Sequence, residues 1–100
     1  MSVLVHAVDR PNTAPFPMSD RFLHEITFFM AMTGTEGIPK LPAREYWVRQ
    51  ADARRFLDDG VVRIVSPLDS DMQAEIELSE EQENWLEWMV RHNVEHIRLV

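Results

Sequence analysis

The feature that most limits how this chain can fold is a change of hydrophobic period at Ser79. Before it, Met72, Ala74, Ile76 and Leu78 alternate with Gln73, Glu75 and Glu77, the two-residue period of a strand with one wet face. After it, Trp85, Leu86, Met89 and Val90 recur at helical spacing behind Ser79-Glu80-Glu81-Gln82, which has the form of a capping box. Strand and helix abut, so the chain reads as α+β. Arg91 and His92 suit the negative end of that helix, and Asn93 can take the left-handed position that closes it.

The rest of the chain is punctuated by proline and glycine. Residues 3–8 (Val-Leu-Val-His-Ala-Val) are β-prone and read as a first strand. Pro11, Pro15 and Pro17 then make residues 9–18 an extended loop. Ser19 or Asp20 can cap a helix running to about residue 33, where Gly34 and Gly37 stop it. Phe22, Leu23, Ile26, Phe29 and Met30 share one face of that helix. The same stretch also alternates as a strand through Ile26, Phe28, Met30 and Met32, and both readings stand. Residues 42–59 read as a helix, with Pro42 in its first turn and Gly60 as its left-handed cap.

Residues 61–65 read as a strand, 66–71 as a turn and 72–78 as the next strand, with Arg63 a suitable cross-strand neighbour for the glutamates. Residues 95–100 close the chain as a strand, Ile97 and Leu99 on one face. With the two middle helices counted as one crossover, the order is a split β-α-β-β-α-β, ferredoxin-like pattern. It implies a small four-stranded, mainly antiparallel sheet with two or three helices on one face. No repeat or linker divides the chain, so residues 1–100 read as one domain.

Charge bears on partners. Seventeen acidic against ten basic side chains give a formal charge of −7, which argues against nucleic acid and against an anionic membrane surface. No apolar stretch approaches the length needed to span a bilayer. The absence of cysteine removes disulfides, thiolate nucleophiles and thiolate metal sites, and fits a reducing compartment, so the cytoplasm is the expected location.

Patterns that carry chemistry are few. His92-Asn93-Val94-Glu95-His96 satisfies H-x-x-E-H, but a zinc peptidase needs that motif on one helix, and Asn93 reads as a helix stop. His92 then caps a helix and His96 faces solvent. If the first and last strands pair, His6 and His96 stand on adjacent strands with Glu95 on the opposite face; two imidazoles fall short of a usual metal site. Asp69-Ser70-Asp71 near Glu75 and Glu77 resembles a calcium loop but reads as a hairpin turn, and Asp58-Asp59 ahead of Gly60 as a helix stop. No nucleophile elbow or phosphate-cradling glycine loop is present. The expectation is therefore no metal, no cofactor and no catalytic residue.

The basic residues Lys40, Arg44, Arg49, Arg54 and Arg55 bunch, yet interleave with Glu45, Asp52, Asp58 and Asp59 as a mixed solvated face. Two other features point to protein partners. Glu80, Glu83 and Glu87 line one side of the last helix, relieved only by Arg91. Apolar surface is also in surplus: Phe28 and Met32 lie off the main stripe of their helix, Tyr46-Trp47-Val48 fans too widely around the next, and Trp88 sits at a stripe's edge. The expected function is a non-catalytic protein-interaction or regulatory module, able to form a homodimer. It would bind through Phe28, Met32, Trp47 and Trp88, with Glu80, Glu83 and Glu87 as an acidic rim. The alternative is a small dimeric enzyme or small-molecule-binding domain using His6, His24 or His96 in a pocket where sheet meets helix.

Overall fold

The computed structural model describes residues 2–31, 39–65 and 73–100, with side-chain surroundings for 2–26, 39–62 and 75–100. Its elements are strand β1 (Ser2–Ala7), strand β2 (Phe16–Ser19), helix α1 (Phe22–Ala31), strand β3 (Glu45–Trp47), helix α2 (Gln50–Asp59), strands β4 (Val61–Val65) and β5 (Gln73–Glu77), helix α3 (Glu80–Arg91) and strand β6 (His96–Leu99). The protein is α+β, with a four-stranded antiparallel sheet in the order β2-β1-β6-β3 and a separate β4-β5 hairpin.

The sheet is antiparallel and four-stranded as the sequence suggests, but half of its strands are ones the sequence hides. The expected hairpin, with Arg63 opposite Glu75, forms a sheet of its own. Its place is taken by β2 and β3. The pairings of the described strands do not by themselves make a split β-α-β-β-α-β arrangement.

β2 falls inside the segment that the prolines mark as loop. Pro17 has no N–H to give a ladder, and β2 is an edge strand, the place where a sheet tolerates that loss. β3 falls inside the expected helix 42–59, which the structure corrects. The Pro42 carbonyl accepts from the Glu45 amide in a turn, and Arg44 is left-handed at φ 68°. Tyr46-Trp47 then runs extended against β6, and the helix begins only at Gln50. The wide apolar fan of Tyr46, Trp47 and Val48 is that of a strand: Tyr46 packs against the core, Trp47 points away, and Val48, just past β3, is buried.

The other boundaries follow their local chemistry. The Ser79 hydroxyl accepts from the Gln82 amide while the Gln82 side chain accepts from the Ser79 amide, the reciprocal bond pair that opens α3. Gly60 (φ 69°) closes α2 and Asn93 (φ 55°) follows α3, both left-handed. Residues 22–31 are helical, which decides that stretch for helix. Ser19 lies in β2 instead of capping α1, and its hydroxyl donates to Glu81 at 2.7 Å. The 66–71 turn, with Asp69-Ser70-Asp71, lies outside the described residues.

One core cluster joins sheet and helices. Val3, Val5, Ala7, Met18, Ile97 and Leu99 supply the inner sheet face; Phe22, Ile26, Ala53, Phe56, Trp85, Leu86 and Met89 supply the helices. Trp85 and Phe22 meet edge to face at 4.8 Å between centroids.

Candidate partner-binding surface

In an antiparallel sheet, residues directly opposite share a face, so the register fixes what the outer face displays. Beyond the Ser2–Ser19 pair at its rim, it carries three rows across the strands. In the first, Pro17 of β2 is opposite Leu4 of β1, and Leu4 exchanges both backbone hydrogen bonds with Val100, each 3.0 Å. In the second, His6 is opposite Arg98, which is opposite Glu45. In the third, the Val8 amide donates to the His96 carbonyl at 2.8 Å, and His96 is opposite Trp47.

The core helices lie on the other face, and among the described residues no helix packs on the β1 side of this one. Leu4 is 38% exposed, Val8 40% and Val100 57%. A half-open antiparallel sheet should alternate apolar-in and polar-out, whereas a strand covered on both faces reads as a continuous apolar run. β1 and its extension, Val3 to Val8, are of the second kind, interrupted only by His6. That run was the signal for the surface in the sequence. It is legible as a strand, but the run itself does not say which of its faces the helices cover.

At the β3 edge the surface is rigid. His96 Nε2 and Glu45 Oε1 are 2.7 Å apart, with both side chains more than four-fifths buried. Toward a carboxylate oxygen, which accepts, the ring nitrogen Nε2 is the donor. Trp47 stacks on the imidazole at 5.3 Å and 30°. The diagonal pair and the stack hold the indole in one orientation, the condition for an anchor that loses little entropy on binding.

Of the residues singled out in the sequence, Trp47 lies on this face. Trp88 does not. It is 8% exposed, held between Phe16 (5.8 Å) and His92 (6.1 Å), because β2 folds over the α3 edge that the helical wheel leaves bare. Its expected role as an exposed anchor is corrected accordingly. The surroundings of the Phe28 side chain and all of Met32 lie outside the described residues. Glu80, Glu83 and Glu87 are exposed on α3, which packs against the inner side of the sheet, so they do not rim the outer face. Glu80 instead borders an open groove of about 810 Å³ between the β2–α1 turn and the start of α3, with Phe16, Pro17, Asp20, Arg21 and Glu81.

The histidines separate in a similar way. His6 and His96 share the outer face and Glu95 points away from it, as the strand pairing requires; the Glu95 carboxylate accepts from the Gln50 amide at 2.9 Å. His92 closes α3 while His96 lies in β6, so the two do not share a helix. His24 is exposed on α1. None of His6, His24 and His96 lies between sheet and helices. No cluster of three or more metal-ligating side chains occurs among the described residues. Among the basic residues, Asp52 takes Arg55 at 3.0 Å and Arg49 at 3.8 Å, which keeps that face mixed in sign.

In comparisons with known proteins the chain matches no family model, no curated protein and no solved structure. No helix among the described residues is long and apolar enough to cross a membrane.

Proposed function

We propose that this chain is a non-catalytic protein-interaction module of the cytoplasm that binds protein through the open face of its four-stranded sheet. The observation that carries this reading is β1, an apolar strand of the kind found covered on both sides, whose outward Leu4 is exposed along with neighbouring Val8 and Val100. Trp47, held by His96 and Glu45, supplies an aromatic anchor beside them. The lack of cysteine leaves this surface free of thiol chemistry in a reducing compartment.

Photo-crosslinking tests the reading. A benzophenone amino acid placed at Leu4 or Val8 should give discrete covalent protein adducts in cells. The same probe at exposed Arg54 on α2 should give none. Absence of adducts at both sheet positions would remove the reading.

A further inference from the structure

We infer that the open sheet face binds a second copy of this chain, face to face, about a two-fold axis running between β1 and β6. This deepens the proposed function and rests on it: the surface is the same, and the partner is now specified.

Charge is the first argument. Two chains of formal charge −7 repel each other across most orientations. On the three outer rows Arg98 and Glu45 cancel and the remaining side chains are apolar or imidazole. Here two copies can meet without bringing the surplus carboxylates together. The acidic stripe Glu80, Glu83 and Glu87 rides on α3, on the far side of the sheet.

Symmetry is the second. In an isologous contact, what one copy offers at a position must suit what the other offers at the mate of that position. Leu4 and Val100 are reciprocal neighbours on the two central strands. Rotation about the axis between those strands lays Leu4 over the second copy's Val100 and Val100 over its Leu4, closing a four-residue apolar cluster on the axis. The same rotation sets Val8 over His96, and His6 over Arg98, with no side-chain carboxylate facing another. Sheets packed in this way interdigitate across about 10 Å.

Size sets the strength. Four strands and three rows cover a projected footprint of about 400 Å² per copy. A standard stable interface buries about 800 Å² per partner, so this dimer is reversible, with a dissociation constant in about the micromolar range or weaker.

Light scattering after size exclusion, over a dilution series, tests the inference. The mass should rise from 11.7 kDa toward twice that value with concentration. Leu4→Lys alone and Val100→Glu alone should each weaken self-association by about tenfold or more, like a buried unpaired charge. Mixing the two variants should restore a dimer, because the axis places the new opposite charges over one another. Circular dichroism of each variant separates lost association from lost folding, and the mixing result stands on folded protein alone. One chain's mass at every concentration, or variants that fail to rescue each other, overturns the inference. If the Leu4 and Val8 crosslinks then still form, to other proteins, the interaction reading survives without the dimer; if none form, both readings fall.

Discussion

At the scale of single residues, Gln50 ties the sheet to the helices. Its amide Nε2 donates to the Met89 carbonyl (3.0 Å) and the Val94 carbonyl (2.7 Å), and its backbone N–H donates to Glu95 (2.9 Å). Glu95 in turn donates its amide to Asp9 at 3.0 Å. One side chain thus spans the end of α3, the start of β6 and the head of α2. Gln50 Oε1 is buried without a hydrogen-bonding partner, so the side chain's contribution here comes from its two donated bonds. Gln50→Leu removes those donors along with the orphan oxygen and should cost about 1–2 kcal/mol. Gln50→Glu, closer in shape, should cost more, about 3 kcal/mol or above, because it sets a buried negative charge against two carbonyls. Urea unfolding of the two variants measures the order; Gln50→Glu as the milder change would mean the Nε2 bonds do not hold this junction.

At the scale of elements, glycine and caps decide the boundaries. Gly60 is left-handed, and a Cβ there would meet nothing within 4 Å, so the cost of Gly60→Ala is conformational and not steric. The expected loss is about 1 kcal/mol, seen as a lower urea midpoint with an unchanged slope. A larger loss, or a changed slope, would show that α2 or the hairpin behind it rearranges. This boundary was legible because glycine names a backbone geometry directly. So were the capping box of α3 and the left-handed Asn93. β3 was not, since Pro42 is equally at home in a helix's first turn and in the tight turn found here, and the choice is made by distant β6. β2 was hidden by Pro15 and Pro17, because a local reading treats proline as a breaker and cannot know that the strand lies on an edge. The candidate surface was half legible for a related reason. Trp47 stands out in the sequence as surplus, while Leu4, Val8 and Val100 read only as strand residues, and the pairing is what places them on the face away from the core helices.

At the scale of the whole molecule, the charge of −7 acts on association in a direction that can be measured. Two acidic chains that meet through an apolar face gain from screening, since salt weakens their mutual repulsion and leaves apolar contact intact. Raising sodium chloride from about 20 mM to about 500 mM shortens the Debye length from about 20 Å to about 4 Å and should lower the self-dissociation constant at least about threefold. A constant that rises with salt would mean that Arg98 and Glu45, pairing between copies, drive association instead of the apolar row.

The pairing of β1 with β6 also governs time. Val5 lies opposite Leu99, so the two middle strands of the sheet come from opposite ends of the hundred-residue sequence. A ribosome releases β1 before the other described strands of this sheet and β6 after them. β1 can pair early with β2, but its other edge waits for β6, and the sheet can close there only around a large loop. Until β6 emerges, the unpaired edge of a nascent β1 is a natural client for a chaperone.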